Sequence, residues 1–211
     1  MTPPDAAAIR PPETRRVLDV SRLPRTVFGH QGLIWWGTTG FMVIEGSVFV
    51  IVVVVYFYLR LQVADWPPSL PNPDLRYGTA NLVTVLVSLV PAYIAKKKAE
   101  DFDLGGVRLW TTVLVLFGIA SVVLRVFEYF TLNCRWDDNA YGSIVWTLLS
   151  LHTTHVATDV VDSIVLLVLA FTGPNTKKRF VDYSENSLYW YFIVAWWVPI
   201  YVTIYFMPRW L

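Results

Sequence analysis

Five long apolar runs constrain what this chain can fold into. Each is close to or longer than the roughly 20 residues that an α-helix needs to cross the hydrocarbon core of a bilayer. The runs lie at about 33–60, 78–96, 107–131, 141–172 and 187–207. The first contains the β-branched segment Ile51–Val55. Because lipid offers no partner to the edge of an open strand, a helix is predicted there as well.

Composition agrees with a membrane protein. Of the 211 residues, 55% are hydrophobic and only 16% are charged, and the mean hydropathy is +0.48. Ordinary soluble domains carry roughly 25% charged residues. The net charge of +1 gives no basic surface of the kind that binds nucleic acid. The fold predicted is therefore an all-α integral membrane bundle of five transmembrane helices.

The distribution of Lys and Arg predicts the orientation of this bundle. Most of the 17 basic residues fall in the N-terminal tail, in the loop after the second run and in the loop after the fourth. Short loops rich in Lys and Arg stay on the cytoplasmic side, which predicts N-in/C-out. We expect residues 1–30 to form a polar cytoplasmic tail, and residues 31–211 to form the transmembrane domain.

Ionisable side chains lie deep within two of the predicted helices. His152, His155, Asp159 and Asp162 share one face of the fourth helix. His152 lies about 16 Å along that helix, near the middle of a ~30 Å hydrocarbon core. Glu45 in the first helix has a similar predicted depth. These five residues are the candidate intramembrane polar network, and a Glu–His pair between helices would satisfy both groups.

Three functions compete for this network. The first is a clamp between helices that carries out no chemistry. The second is a path for protons or ions through His152, Asp159 and Asp162. The third is a metal site, although two histidines three residues apart on one helix are a weak signal for one. Arg125 and Glu128, near the outer end of the third helix, are predicted to form a partly hydrated ion pair within that helix.

Motifs for covalent haem attachment, for a nucleophile elbow and for a phosphate-binding loop are absent from the sequence. The single cysteine, Cys134, cannot form a disulfide within the chain. No catalytic, metal or cofactor-binding residue is therefore predicted, and the chain is not expected to carry out electron transfer by itself.

Several segments resemble, in order, the subunit III family of the haem–copper oxidases, which are cytochrome c and quinol oxidases. They are EGSVFVIVVVVYFYLRL, WPP, TANLVTVLVSLV, EYF, YGS, LHTTHV and LYWYFIVAWWVPIYVTIYF. The resemblance covers about residues 33–207 and points to the five-helix form of the family. It places Glu45 at the family's carbodiimide-reactive glutamate, and Glu128, His152 and His155 at polar positions of later helices. The chain departs from the family at Thr153, Tyr191 and Val194, and Asp159 and Asp162 are additional.

The resemblance implies an accessory, non-redox subunit in the inner (plasma) membrane of a bacterium. Such a subunit stabilises the catalytic subunit and its proton-uptake side. Oxidase subunit I would be the main contact, other oxidase subunits and bound phospholipid further ones, and the haem and copper would lie in the partners. The alternatives are a subunit-III-like protein associated with nitric oxide reductase and a small proton-coupled membrane transporter.

Overall fold

Residues 26–210, the part of the chain that the computed structural model describes, form helices joined by loops and contain no strand. The long helices are α1 (Leu33–Arg60), α2 (Leu75–Val87), α3 (Leu89–Glu100), α4 (Leu104–Phe130), α5 (Ala140–Thr172) and α6 (Lys177–Tyr201). A single turn of 3₁₀-helix precedes α1. A π-helical segment, Val202–Phe206, and the short helix α7 (Met207–Trp210) follow α6.

Five helical segments are long and apolar enough to cross a membrane. They are Leu33–Arg60, Leu75–Glu100, Leu104–Phe130, Ala140–Thr172 and Lys177–Trp210. This confirms the predicted all-α membrane bundle of five transmembrane helices. The orientation N-in/C-out stays a prediction. Residues 1–25, most of the predicted cytoplasmic tail, lie outside the described residues.

Polar side chains mark where three of the helices begin. Asp74 accepts a hydrogen bond from the backbone N–H of Arg76 at 3.0 Å, before α2. Asp103 does the same for Gly106 at 3.0 Å before α4, and Asn139 does so for Gly142 before α5. Each side chain satisfies a backbone donor that the first turn of a helix leaves unpaired.

The second membrane segment is interrupted at Ser88, between α2 and α3. Pro91 lacks a backbone N–H, and its ring crowds the carbonyl of the preceding turn, which opens the helix there. The Ser88 hydroxyl bonds back to the carbonyl of Val85 at 2.6 Å and accepts the indole N–H of Trp190 at 2.8 Å. The hydrogen bond from Trp190 of α6 thereby stabilises the interrupted helix at Ser88.

The last membrane segment begins about ten residues earlier than the apolar run predicts. Its first turns, Lys177–Glu185, are polar, so hydropathy does not detect them. Near its other end, Pro199 lies three residues before the start of the π-helical segment Val202–Phe206. Proline removes one backbone hydrogen bond, and the widened turn accommodates the resulting change in register.

The helix α6 lies at the centre of the bundle. It packs against α3, α5, α1 and α2, and its rings Trp190 and Trp197 are buried. By contrast, α1 packs against α5 and α6 and leaves a long apolar side exposed, including Phe41 and Ile51. Such a side suits contact with lipid tails or with another membrane subunit.

Candidate functional site

The predicted polar row on α5 divides between two separate clusters. His152 and His155 lie on adjacent parts of the helix face, but they contact different neighbours. His152 faces α4 and α6, whereas His155 faces α1. The predicted network of five residues is therefore two sites, and only the second contains Glu45.

The first site, called here the arginine cluster, consists of Arg125, Glu128, His152, Trp197 and Tyr205. The predicted ion pair between Arg125 and Glu128 within α4 is present, but the side chains are 2% and 1% exposed, so the pair is buried rather than partly hydrated. One guanidinium nitrogen donates to Glu128 at 2.8 Å, and the other terminal nitrogen lies 3.1 Å from Nδ1 of His152. The guanidinium also lies 3.8 Å from the centre of the Trp197 ring.

The hydrogen bonds of this cluster fix the tautomer of His152. Arginine can only donate, so Nδ1 of His152 must accept. Its Nε2 then carries the proton and donates it to the carbonyl of Ile193 at 3.1 Å. The second oxygen of Glu128 accepts the Tyr205 hydroxyl at 2.5 Å. The imidazole is neutral, the charges of Arg125 and Glu128 cancel, and no acid or base in the cluster is left open for chemistry.

The second site joins α1, α5 and α6 around Glu45. One carboxylate oxygen of Glu45 lies 3.3 Å from Nε2 of His155, and the other accepts the Tyr189 hydroxyl at 2.7 Å. The predicted Glu–His pair between helices is thus present with His155 as its partner. The ring of Phe49 lies 4.9 Å from that of His155 and covers one face of the pair.

The geometry of this pair implies a shared proton. Nδ1 of His155 lies 2.6 Å from the carbonyl of Leu151, and a carbonyl can only accept, so Nδ1 carries a hydrogen. A neutral imidazole would then present the lone pair of Nε2 to the carboxylate of Glu45, and two acceptors facing each other repel. One further proton between Nε2 and Glu45 removes this conflict.

A cavity of about 520 Å³ opens beside the Glu45–His155 pair, between α1, α5 and α6. We call it the acidic cleft. Its walls carry the carboxylates of Glu45, Asp159, Asp162, Asp182 and Glu185. Asp159 is 3% exposed, whereas Asp162 lies at the open side. The sequence predicted Asp159 and Asp162 at this depth but gave no sign of the two acids from α6.

Further buried hydrogen bonds join helices whose polar residues the sequence did not single out. Ser121 of α4 donates to the Asn81 side chain of α2 at 2.7 Å. Asn186 of α6 donates to Ser163 of α5 at 2.8 Å. A polar residue inside an apolar run would have been the signal for each. Within residues 26–210, no group of three or more His, Cys, Asp or Glu side chains is placed to hold a metal ion.

Comparison with other proteins relates this arrangement to a known family. No protein-family model matches the chain. Proteins named cytochrome c oxidase subunit 3 do match, and the one from a Synechocystis species is 23% identical, covering 85% of this chain and 78% of its own length. The Corynebacterium diphtheriae protein of that name is 25% identical over 81% of this chain and 86% of its own. The Bacillus subtilis protein is 26% identical over 77% and 81%.

These relatives support membership of the cytochrome c oxidase subunit III family. The resemblance found in the motifs is confirmed at this level. The names of the relatives support membership of a haem–copper oxidase complex. Together with the five helical segments that are able to span a membrane, they support a multi-pass membrane protein.

Proposed function

We propose that this chain is an accessory, non-redox subunit of a haem–copper terminal oxidase in the bacterial inner membrane. It stabilises the catalytic subunit and its proton-uptake side, with subunit I as its main contact. The observation that carries the proposal is the similarity over 85% of the chain to a protein named cytochrome c oxidase subunit 3. Haem and copper belong to the partner subunits in this proposal, and phospholipid is bound at the outer faces.

Two features of the structure support this role. The arginine cluster joins α4, α5 and the end of α6 through fully partnered charges, which suits a rigid structural element. The exposed side of α1 offers an apolar surface to a membrane partner or to lipid. A small proton-coupled transporter would instead need ionisable groups that are free to change protonation along a path. The arginine cluster holds none in that state.

The test compares the oxidase purified with and without this chain. The form lacking the chain should keep the same haem absorption spectrum, because the redox centres lie in its partners. Its oxygen consumption should decline faster during continuous turnover, and adding the purified chain back should slow that decline. A form that has lost its haem absorbance, or that keeps the same activity lifetime, would overturn the stabilising role.

A further inference from the structure

The acidic cleft is unusual in the sign of its charges. Five carboxylates line it, and the only basic group among its described lining residues is His155. That imidazole is already engaged by Glu45 at 3.3 Å. Asp182 is paired with Arg179 of the same helix at 4.0 Å, but no ion pair with Asp159 or Asp162 is present among the described residues. Unpaired carboxylates in a membrane-embedded protein are costly, because the low dielectric of the bilayer does little to stabilise their charges.

One carboxylate of the cleft, Asp159, lacks a hydrogen-bond donor. Its side chain is buried to 97%, and its Oδ2 atom has no hydrogen-bond partner in the structure. The Oδ1 atom of Asn186, on the neighbouring wall, is also buried and unpaired. The amide oxygen of Asn186 is an acceptor, and Oδ2 of Asp159 is one as well when its carboxyl group is ionised. An unpaired buried acceptor costs about 1–3 kcal/mol, so a ligand that brings donors into this space would be stabilised.

The dimensions and walls of the cleft restrict which donor fits. The carboxylates are spread around about 520 Å³, and no described group of three is placed to hold a metal ion. The remaining wall is apolar and aromatic, with Ile34 and the stacked rings of Phe41 and Tyr189, whose centres are 5.9 Å apart. Aromatic faces favour an organic cation, and apolar walls favour a hydrocarbon body attached to it.

We propose that the acidic cleft binds a primary ammonium group carried on an apolar body, with Asp159 as its main anchor and Asp162 at the entrance. Two sources share this chemistry, an aminophospholipid headgroup and a free lipophilic amine. The proposal goes beyond the role as an oxidase subunit, because it concerns a ligand of this chain alone. It can therefore fail while that role holds, and the reverse is equally possible.

The test uses the full chain purified in a neutral detergent, with dodecylammonium as the probe and dodecanol as its uncharged counterpart. Isothermal titration should show one dodecylammonium bound per chain and no comparable binding of dodecanol. The variant Asp159→Asn should weaken the binding about tenfold or more, which corresponds to about 1.4 kcal/mol. Asp65→Asn, at an exposed loop position away from the cleft, should leave it unchanged.

A second variant covers the case in which Asp159→Asn does not fold, as judged by its thermal melting. Asp162 is exposed, so Asp162→Asn should fold normally and also bind dodecylammonium more weakly. Equal binding by the wild type and by the folded variants would overturn the proposal, as would equal binding of dodecanol.

Native mass spectrometry distinguishes the two sources. The chain is reconstituted in nanodiscs that contain phosphatidylethanolamine and phosphatidylcholine, and the lipid retained after gentle release is identified. Selective retention of phosphatidylethanolamine, lost in Asp159→Asn, supports the headgroup. Binding of dodecylammonium without lipid selectivity supports the free amine. If neither phosphatidylethanolamine nor dodecylammonium binds, the proposed site is overturned.

Discussion

Arg125 illustrates how a buried charge can be tolerated inside a membrane bundle. Its guanidinium meets a carboxylate, an imidazole and an indole face, so each part of the group has a partner. Breaking such a pair from one side is more damaging than removing both charges, because the remaining ion stays buried. The sequence placed Arg125 next to Glu128, but helix periodicity does not reveal that His152 of α5 completes the site.

Arg125→Met should therefore destabilise the protein by about 3–5 kcal/mol, since Glu128 is left as an unpaired buried charge. The double variant Arg125→Met/Glu128→Leu should recover much of this loss. Denaturant titration of the purified chain in detergent, analysed as a double-mutant cycle, measures both values. Equal destabilisation by the single and the double variant would contradict the charge-pairing account.

Glu45 allows a finer test, because glutamine can replace both of its contacts. The amide oxygen of Glu45→Gln can accept from Tyr189, and the amide N–H₂ can donate to Nε2 of His155. We expect its stability to stay within about 1 kcal/mol of the wild type. Glu45→Leu leaves Tyr189 and His155 unpaired and should cost about 1–3 kcal/mol.

The same denaturant titration compares the two Glu45 variants. A glutamine variant as unstable as the leucine variant would show that the negative charge itself, rather than the hydrogen bonds, holds α1 to the bundle.

Cys134 lies in the loop between α4 and α5, where burial, assisted by the negative charge of Asp138, raises the pKa of its thiol to about 11. At pH 8 only about one thiol in a thousand is then the reactive thiolate. Iodoacetamide should label the native protein slowly, and the rate should rise with pH up to about 11. Mass spectrometry follows the labelling, and the denatured chain serves as the control. Rapid native labelling at pH 8 would contradict this.

At the scale of helices, the apolar runs predicted how many membrane segments exist and approximately where they lie. They did not predict the polar first turns of α6, and the interruption at Ser88 is indicated by Pro91 rather than by hydropathy. Hydropathy measures contact with lipid, whereas these features depend on contacts between helices, such as Trp190 with Ser88. The division of His152 and His155 between two sites has the same origin, because it depends on which helices pack beside α5.

Gly78 shows how closely α2 approaches the end of the last membrane segment. A Cβ atom at Gly78 would lie 2.5 Å from the ring of Tyr205, which also bonds Glu128. Gly78→Ala should therefore push Tyr205 away and lower the melting temperature by several degrees, through a loss of about 1–3 kcal/mol. Gly37→Ala in α1 is the matched control, because no atom lies within 4 Å of a Cβ there. Equal melting temperatures for the two variants would count against this packing.

At the scale of the whole molecule, the structure has a closed interior and open outer faces. The charged groups of the arginine cluster are paired within the chain, whereas the acidic cleft and the apolar side of α1 face outward. The motifs in the sequence were sufficient to predict the family, because they are spread over all five membrane segments. Partner surfaces have no such signal, since residues that face lipid and residues that face another subunit are equally apolar.

The most direct measurement identifies what stays bound to this chain after gentle detergent extraction of its native membrane. The chain carries an affinity tag, and the purified material is examined by mass spectrometry and by its haem absorption spectrum. We predict oxidase subunit I in equal proportion to the tagged chain, together with the absorption of its haems. Recovery of the chain without subunit I, or with a nitric oxide reductase in its place, would contradict the proposed function.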